Sequence, residues 1–560
     1  MRRALVVVAL ALALPASAHA ATTAVTTATT STDPNALSVP ARMDRPPIGH
    51  RMTGAQVRAI AERVPKVIDA RRGYPRSTVA VFLKGQLSGR WQVSFYDTPR
   101  RKKEIAQVLI DDSTGAVLEA WTGPQVAWTM ARGYPGAFGR KAAALYVWLP
   151  LLVLFVAPFV DRRRLLRLRH LDLLAICAFS VSLAFFSHGN IDASVPLAYP
   201  PLLYLLARLT WIGLRRRDRP LEPLRLLVPA SWLAVALVFL LGFRIGLNVT
   251  NSNVIDVGYS GVIGADKLAH GRAVYGTFPQ DDQHGDTYGP VTYAAYVPFE
   301  LAMPWSGRWD DLPAAHGAAI FFDLLTAGGL FLLGRRIRGP TIGLALAYAW
   351  VACPFTLFAL NTNANDGLVA ALLVWVLIAA AHPMRRGALA ALAAGAKFAP
   401  VALVPLLATQ SPRRLVRFAV AFGALLFVAL LPVFLQGDLR VFYDRTLGFQ
   451  AGRDAPFSVW GLWGWPVALR AAVQAAAILF ALAVAVLPRR RDVVGLSALA
   501  GAVLIALQLG ATYWFYIYIV WFLPLALVAF IARDGEPSRP PAPEPAAARS
   551  RPRAMAASTG

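Results

Sequence analysis

The amino-acid sequence predicts a polytopic α-helical membrane protein that carries a small α+β domain outside the membrane. Of its 560 residues, 56% are hydrophobic and 16% are charged, whereas soluble domains carry a charged fraction of about 25%. The mean hydropathy is +0.49. The formal net charge of +25 comes from short basic clusters between long apolar runs, a pattern typical of cytoplasmic loops and not of a nucleic-acid-binding groove. The two cysteines, Cys177 and Cys353, both lie in apolar runs, which excludes a disulfide framework and a thiolate metal site.

The N-terminal residues predict a signal peptide over 1–20. Two arginines precede the apolar stretch 4–14, and Ala18 and Ala20 are the small residues that predict cleavage after position 20. An uncleaved first helix is the alternative, although the stretch is short for the roughly 30 Å core of a bilayer. In either case the residues that follow are exported. Residues 21–50 are rich in Thr, Ser, Ala and Pro, which predicts a flexible tether.

Residues 51–138 predict a small exported domain that begins with a helix and continues with hairpins. Apolar residues recur at helical spacing from Thr53 until Gly73. Alternating patterns then predict four strands, at 77–83, 91–96, 105–110 and 116–121. This order, together with the segment VLIDDSTGAVLEAWTG, resembles a PepSY-like module. Because the segment contains no catalytic constellation, a binding or regulatory role is favoured over an enzymatic one.

Eleven apolar runs are long enough to predict membrane spans. They lie at 142–160, 171–187, 195–214, 225–247, 314–334, 340–360, 366–382, 417–436, 465–487, 493–510 and 512–532. With the N-terminal domain exported, the arginine clusters between these runs fall on the cytoplasmic side, as the positive-inside rule requires. Those clusters lie at 162–164, 215–217, 335–336, 385–386 and 489–491. The sequence therefore predicts a multi-pass protein of the bacterial cytoplasmic membrane, with three additional helices over 139–224 and a core membrane domain over 225–532.

Two further apolar stretches are interpreted as non-spanning. Residues 290–304 are short and contain Glu300, which predicts an interfacial segment. Residues 387–408 contain Lys397 near their centre, which predicts a re-entrant hairpin. The alternative is that both stretches span the membrane, giving thirteen spans. The Pro-, Ala- and Arg-rich residues 533–560 predict a disordered cytoplasmic tail.

The external loop over residues 248–313 contains the candidate catalytic carboxylate. Asp256 lies just after a hydrophobic span, between Ile255 and Val257, where partial desolvation raises the basicity of a carboxylate. That environment suits a general base. The same loop carries an acidic group, interpreted as ordinary loop polarity with a metal site as the alternative. Its members are Asp281, Asp282, His284 and Asp286.

The spacing of residues in this loop resembles the first external loop of polyprenol-phosphate-sugar-dependent glycosyltransferases of the GT-C class, in the branch that includes bacterial polyprenol-phosphate-mannose mannosyltransferases. The matching positions are Asp256, Tyr259, Leu268, Gly271, Tyr275, Gly276, Tyr288, Gly289, Pro290 and Pro298. The resemblance implies a GT-C-like fold over 225–532, with Asp256 as the catalytic base and Asp266 as the alternative base. It also implies substrate-binding tyrosines, which are Tyr259, Tyr275 and Tyr288. The family more often has Tyr-Pro-Pro where this chain has Tyr288-Gly289-Pro290, so the identity of the substrate stays open.

An inverting transfer needs a carboxylate that accepts the proton of the acceptor hydroxyl and a cation that stabilises the departing lipid phosphate. The external basic residues are the candidate phosphate ligands, with headgroup-facing surface charge as the alternative for each. They are Lys267, Arg272, Arg445 and Arg453. No metal and no cofactor are predicted, because the polyprenyl-phosphate sugar is itself the donor substrate.

Charged residues inside apolar runs are further candidate functional groups, because charge at bilayer depth is costly. Lys397 is interpreted as a contact to the lipid-linked donor, with an ion pair to Asp323 as the alternative. Asp366 begins a span and is interpreted as a helix cap. The aromatic run 513–518 with Trp521 is interpreted as an interfacial belt.

Together these features predict an integral membrane glycosyltransferase that transfers a hexose, with mannose as one candidate, from a polyprenyl-phosphate donor. The predicted acceptor is an extracytoplasmic glycolipid, glycan or protein, and membrane lipids are the other partners. A transporter or lipid-linked-sugar flippase is the alternative. That alternative needs ionisable residues along a pathway and usually internal repeats, whereas intramembrane charges are few here and the sequence has no evident repeat. A signalling or scaffold protein is a third interpretation, which leaves the acidic loop unexplained.

Overall fold

The structure of this chain is a computed structural model. It describes residues 37–85, 89–98, 100, 103–134, 136–164, 166–215, 224–310, 312–436, 439–453, 455–487 and 489–532. The predicted signal peptide, residues 21–36 of the predicted tether and the predicted C-terminal tail lie outside the described residues. The described chain is mostly helical, and its strands form one small sheet near the N-terminus. This confirms the predicted combination of many apolar helices with a small α+β domain.

Five antiparallel strands form the sheet in the order β1-β2-β3-β4-β5. The strands are β1 Leu37–Ser38, β2 Thr78–Lys84, β3 Arg90–Tyr96, β4 Glu104–Asp111 and β5 Val117–Thr122, and the helices of this domain are α1 Gly54–Glu62 and α2 Pro65–Arg72. The four longer strands confirm the four strands predicted from alternation. The helices cover the face of the sheet on which Trp91, Val93 and Phe95 are fully buried.

Two local features of this domain differ from the predictions. The predicted tether contributes β1, which pairs with Leu83 and Lys84, because the open edge of a sheet offers unpaired backbone groups. The predicted single helix is two helices, because Pro65 restricts Val64 to an extended conformation with φ −66° and ψ 123°. A two-residue strand and a one-residue break carry no periodic signal in the sequence.

The remaining helices form the apolar body of the protein. They are α3 Pro124–Ala127, α4 Leu145–Val156, α5 Leu168–Ser187, α6 Ile191–Leu197, α7 Tyr199–Leu214, α8 Ala230–Thr250, α9 Asp256–Ala269, α10 Pro290–Ala302, α11 Pro313–Arg338, α12 Pro340–Ala352, α13 Pro354–Asn361, α14 Asp366–Ile378, α15 Pro383–Ala396, α16 Val404–Ala408, α17 Leu415–Gln436, α18 Leu439–Tyr443, α19 Phe449–Gly452, α20 Val459–Leu462, α21 Val467–Val486, α22 Val493–Leu509 and α23 Ile519–Ile531. Short 3-10 segments lie at Thr129–Arg132, Arg140–Ala143, Ala157–Phe159, Gln280–Asp282, Gly285–Thr287, Ala399–Leu403, Pro412–Arg414 and Tyr516–Tyr518, and a π-helical turn lies at Asp444–Gly448.

Six helical stretches of the described chain are long and apolar enough to cross a membrane. They are Leu168–Ser187, Ile191–Leu214, Ala230–Thr250, Pro313–Arg338, Pro412–Leu435 and Val467–Val486. The pair α12 and α13, which is bent by 57°, makes a seventh if it is one span. Shorter apolar helices occupy the other four predicted runs, at Leu145–Phe159, Asp366–Ile378, Val493–Leu509 and Tyr516–Ile531. The chain therefore has the helices of a membrane-embedded protein, while the count of eleven spans and the orientation stay predictions.

The two stretches predicted not to span form short helices. The first is α10, and the second is divided into α15 and the segment Ala399–Ala408. Lys397 lies at the break, with an extended backbone of φ −135° and ψ 147°. Pro400 follows, and proline cannot continue a helix that runs into it. A break of this kind between two short helices is what a re-entrant hairpin requires.

Buried ion pairs join the apolar helices. Arg208 Nε lies 2.8 Å from Asp172 Oδ1, which connects α7 with α5. Arg244 Nη2 lies 2.6 Å from Asp323 Oδ1, which connects α8 with α11. The alternative pairing of Lys397 with Asp323 is therefore wrong, because Arg244 already neutralises that carboxylate.

Replacing Asp323 with alanine is expected to destabilise the protein by about 3–5 kcal/mol, because the fully buried Arg244 loses its counter-charge. Thermal unfolding of the detergent-solubilised protein measures this effect. The matched control is the double variant Arg244→Met with Asp323→Leu, which is expected to unfold closer to the wild-type temperature because it leaves no buried charge unpaired. Equal losses in the two variants would contradict this explanation.

Candidate functional site

A short backbone pairing positions Asp256 at the start of α9. The Asn253 N–H donates to the Asn361 carbonyl and the Ile255 N–H donates to the Thr362 carbonyl, each at 3.1 Å. The two partner residues are the last residue of α13 and the residue that follows it, and both belong to the polar segment 361–365. The chain therefore enters α9 along a fixed path, and Asp256 is the first residue of that helix.

The segment 361–365 approaches α9 closely. Asn363 has a left-handed backbone with φ +51°, a conformation that asparagine tolerates better than most residues. Its side-chain nitrogen donates to Ser252 Oγ at 3.0 Å, and its side-chain oxygen accepts from Asn248 at 2.9 Å. A Cβ atom on Gly258 would lie 2.3 Å from the Asn363 carbonyl oxygen. Glycine at position 258 is thus required for this contact, which holds the first turn of α9 in place.

The Asp256 carboxylate is solvent-accessible but has few polar neighbours. Its side chain is exposed, although protein surrounds it on most sides. Oδ1 accepts the Val257 N–H at 2.9 Å, and no described side chain forms an ion pair with this carboxylate. The limited hydration raises the pKa of Asp256, while the Val257 N–H and the charge of Arg453 oppose that shift. An unpaired carboxylate with raised basicity has the properties of a general base.

Arg453 supplies a cation whose charge acts on Asp256. Its guanidinium carbon lies 3.8 Å from the ring centre of Tyr513 and 5.5 Å from that of Phe449. Its Nε has no hydrogen-bond partner, and no carboxylate of the described chain lies within ion-pair distance. Aromatic rings hold a guanidinium without neutralising its charge. Arg453 is therefore placed to bind an anion.

Lys397, another of the five predicted contacts to the donor, already has an acidic partner. Its Nζ lies 2.6 Å from Asp366 Oδ1, which also accepts the Trp521 Nε1–H at 2.7 Å. The Lys397 Nζ lies 4.9 Å from the ring centre of Tyr288. The interpretation of Asp366 as a simple helix cap is wrong, because its carboxylate bonds Lys397 and Trp521 and Asn365 takes the cap position without a side-chain cap bond.

The aromatic run that ends in Trp521 lines this site. Trp521 is only 8% exposed, and its ring centre lies 5.3 Å from Lys397 Nζ. The neighbouring Tyr516 is buried and bonds Ser182 and Ser194 through its hydroxyl, both at 2.7 Å. The interpretation of this run as an interfacial belt is wrong, because these rings face protein groups. The sequence does contain a signal that could have revealed this site, namely the asparagine-rich segment 361–365 beside Asp366. Side-chain amides among apolar helices are costly unless they form hydrogen bonds, so such a segment indicates a buried polar site.

The three predicted substrate-binding tyrosines have different positions. Tyr288 faces Lys397, and its carbonyl accepts the Tyr275 hydroxyl at 3.0 Å. Tyr275 thus supports Tyr288 from behind. Tyr259 is fully buried and donates its hydroxyl to Asp281 at 3.2 Å. Of the three, Tyr288 is the one that the structure brings to the group around Lys397.

The alternative base, Asp266, lies at the other end of α9. Ten residues of helix separate it from Asp256, which corresponds to about 15 Å. Asp266 forms an ion pair with Arg272 and lies 3.0 Å from His270 Nδ1. Lys267 is next to it in the chain and lies over the ring of Phe278. The structure therefore does not bring Asp266, Lys267 and Arg272 to Asp256.

Arg445, like Lys397, already has protein partners. Its Nε lies 3.6 Å from Asp286 Oδ2, and its Nη1 donates to the Gln283 carbonyl at 3.2 Å. Burial raises the pKa of Asp286, and the Gly276 N–H and Arg445 oppose the shift. Of the five predicted phosphate-binding cations, Arg453 alone combines proximity to Asp256 with the lack of an ion-pair partner in the described chain.

The acidic group of the loop does not form a metal site. In the ranges that the structure describes, no three His, Cys, Asp or Glu side chains are arranged to hold a metal ion. Asp282 accepts the Ser260 hydroxyl at 2.7 Å, and His284 stacks on Phe449 with ring centres 4.8 Å apart. The members of the group thus have separate protein partners.

Asp282 has a strongly shifted acidity. Burial raises its pKa to about 8, the Ser260 hydrogen bond opposes this shift, and the charges of Asp256, Asp281 and Asp286 add to it. Its side chain is therefore largely protonated at neutral pH. Because Ser260 also donates to the Asp256 carbonyl at 2.7 Å, Asp282 is joined to the first turn of α9.

Replacing Asp282 with asparagine is expected to stabilise the protein increasingly as the pH rises from about 4 to about 8. The folded protein binds more protons than the unfolded chain in this window, so the wild-type stability falls as the pH rises through it. Asparagine resembles the protonated carboxyl and removes that loss. Thermal unfolding below, within and above this window measures the difference. The control Asp69→Asn alters an exposed carboxylate, and a similar pH dependence there would contradict the assignment to Asp282.

No protein-family model matches this chain, and no curated protein sequence is similar to it. The resemblances to GT-C glycosyltransferases and to PepSY modules thus stay predictions from sequence motifs. The function has to be inferred from the chemistry of Asp256, Arg453 and the residues around them.

Proposed function

We propose that this protein is an integral membrane glycosyltransferase. It moves a hexose from a polyprenyl-phosphate donor to an extracytoplasmic glycolipid, glycan or protein. The observation that carries this proposal is the pairing of a carboxylate, Asp256, with a cation, Arg453, neither of which has an ion-pair partner among the residues that the structure describes. An inverting transfer away from a phosphate leaving group needs a base and a cation of this kind.

In the proposed reaction, Asp256 accepts the proton of the acceptor hydroxyl while that oxygen attacks the anomeric carbon. The bond between the anomeric carbon and the phosphate oxygen breaks, and the electron pair leaves with the lipid phosphate. Arg453 binds the negative charge that develops on this phosphate, for which a guanidinium offers two parallel N–H groups. Asp256 then releases its proton to water. Because one displacement occurs, the anomeric configuration is inverted.

An apolar groove beside Lys397 supports a lipid-linked donor. The groove has a volume of about 470 Å³ and lies between the segment Ala399–Ala408 and α21. Each buried methylene of a lipid chain contributes about 0.8 kcal/mol. The groove reaches Phe398, next to Lys397, and the charges of Lys397 and Arg453 both act on Asp256. A polyprenyl chain in this groove would therefore direct its phosphate toward the region of Asp256 and Arg453. The lining residues are Phe398, Ala399, Val401, Ala402, Pro405, Ile478, Ala481, Leu482 and Leu507.

The intramembrane charges favour this proposal over transport. Arg208, Arg244 and Lys397 each have a carboxylate partner within 2.8 Å. Transport pathways use ionisable groups that exchange partners along the path. Here these three ion pairs instead join neighbouring helices, which is a structural use of charge.

A transfer assay with purified protein in lipid nanodiscs tests the proposal. A polyprenyl-phosphate hexose labelled in the sugar is supplied with glycolipid, glycan and peptide acceptors. We expect labelled product of inverted configuration and an equal amount of polyprenyl phosphate. Movement of intact lipid-linked sugar across liposomes, with no transfer to any acceptor, would support the flippase and contradict the proposal.

The exposed residue His284 is expected to lie outside the cytoplasmic membrane. In a chain whose two cysteines are replaced by alanine, His284→Cys is expected to react with a membrane-impermeant maleimide in intact cells. Arg414→Cys, exposed at the predicted cytoplasmic face, is the matched control and is expected to react only after lysis. The reverse pattern would place Asp256 in the cytosol and contradict the predicted orientation.

A further inference from the structure

We propose that the segment after the sheet, residues 123–132, forms one wall of the candidate site and that Trp128 is a positioning residue for Arg453. The ring centre of Trp128 lies 5.5 Å from the Arg453 guanidinium carbon and 6.1 Å from the ring centre of Tyr513. It also meets Phe457 edge-on at 5.3 Å. This inference rests on the proposed function, in which Arg453 binds the donor phosphate.

The segment is fixed to the helical body at several points. Gln125 Nε2 donates to the Gly189 carbonyl at 2.7 Å, and the Tyr513 hydroxyl donates to Met130 Sδ at 3.4 Å. Gly133 and Gly189 touch backbone to backbone, since a Cβ atom on Gly133 would lie 2.0 Å from the Gly189 nitrogen. Trp128 is therefore held against the site and does not belong to a free linker.

The same segment is fixed to the sheet. Arg132 is buried, and its Nη2 donates to Gln107 Oε1 on β4 at 2.8 Å. Its Nε donates to the Gln125 carbonyl at 2.8 Å, and its Nη1 lies 3.8 Å from Glu119 on β5. Arg132 thus couples the position of the sheet to the segment that carries Trp128.

These contacts give the N-terminal domain a role in the reaction. The rings of Trp128, Tyr513 and Phe449 surround the Arg453 guanidinium and restrict its rotamers. A guanidinium that is already oriented loses less freedom when it binds a phosphate. Loss of the Trp128 ring should therefore weaken binding of the lipid phosphate and raise the KM for the donor, while the KM for the acceptor stays the same.

The test measures binding of farnesyl phosphate to the full chain in nanodiscs, alongside donor kinetics. Trp128→Ala is expected to weaken binding about tenfold, and Trp128→Phe is expected to restore most of it. The double variant with Arg453→Ala is expected to bind no more weakly than Arg453→Ala alone, because Trp128 acts through Arg453. Trp211→Ala, which removes an exposed ring from α7, is the control and should bind as the wild type does.

Each alternative outcome has a distinct meaning. Binding by Trp128→Ala at the wild-type level, or additive losses in the double variant, would overturn the positioning role. A wild-type protein that binds no farnesyl phosphate would contradict the proposed function itself. If Trp128→Ala does not fold, Gln107→Ala tests the same coupling from the sheet. It is expected to weaken binding by a smaller factor of about two to five, and unchanged binding there would overturn the coupling.

Discussion

Replacing Asp256 with asparagine is expected to lower the rate of sugar transfer by about two to four orders of magnitude. Asparagine has nearly the same shape, so the Val257 N–H can still donate to its side-chain oxygen at this helix start. The amide has no basicity, and the acceptor hydroxyl then has to lose its proton without help. Single-turnover transfer of a labelled sugar measures the chemical step directly.

Asp266→Asn is the matched control for this substitution. Asp266 lies on the same helix, and its carboxylate is already engaged in an ion pair with Arg272. About 15 Å of helix separates the two carboxylates, so they cannot serve one reacting hydroxyl. We expect Asp266→Asn to transfer within a few-fold of the wild-type rate. If Asp256→Asn transferred sugar at the wild-type rate and Asp266→Asn did so slowly, Asp266 would be the general base and Asp256 would not.

The pH profile gives independent evidence for the same carboxylate. A general base acts only when ionised, so kcat/KM should fall as the pH is lowered through the pKa of Asp256. Desolvation raises that pKa above the ordinary value of 3.8 for aspartate. The acidic limb should therefore lie at higher pH than a fully hydrated aspartate would give. This limb should disappear from the residual activity of Asp256→Asn.

Some parts of the site were predictable because their signal is local. Asp256 was identified from its apolar neighbours at the end of a span, and the four long strands were identified from alternation. The helix α9 was not predicted, because the region was interpreted as an external loop on account of its polar residues. That helix determines which charged residues are near one another, so its omission left Asp256 and Asp266 as alternatives for one role.

The five candidate cations could not be separated by sequence. Each is a basic residue in a predicted external loop or in an apolar run, and the sequence around a basic residue does not reveal its ion-pair partner. The structure separates them through contacts between distant parts of the chain, such as Lys397 with Asp366, or Arg445 with Asp286. Trp521 was assigned to an interfacial belt for the same reason, because the sequence does not distinguish an aromatic ring that faces lipid from one that contacts a buried ion pair.

Replacing Arg453 with alanine is expected to lower kcat for transfer by about 10²–10³. The phosphate gains negative charge as the sugar–oxygen bond breaks, so a cation there stabilises the transition state more than the bound donor. The loss should therefore appear in kcat as well as in the KM for the donor. Steady-state kinetics with varied donor measure both constants.

Two further variants test whether charge alone explains this effect. Arg453→Lys keeps the charge but lacks the planar pair of N–H groups, so we expect it to recover only part of the lost kcat. Arg445→Ala removes an arginine of the same predicted external loop that is already paired with Asp286, and we expect a loss below about tenfold. If Arg453→Ala and Arg445→Ala lost activity equally, the phosphate would be stabilised by the overall positive charge of the loop. Arg453 would then not be a specific phosphate ligand.

Lys397 needs a different design, because its removal leaves the buried Asp366 without a counter-charge. Lys397→Met alone is expected to reduce folded yield, which would hide any catalytic role. The double variant Lys397→Met with Asp366→Asn removes both charges and is expected to fold better. If the double variant transfers sugar at nearly the wild-type rate while Arg453→Ala does not, the departing phosphate is stabilised by Arg453 and not by Lys397. A double variant as slow as Arg453→Ala would instead assign the phosphate to the break between α15 and the segment Ala399–Ala408.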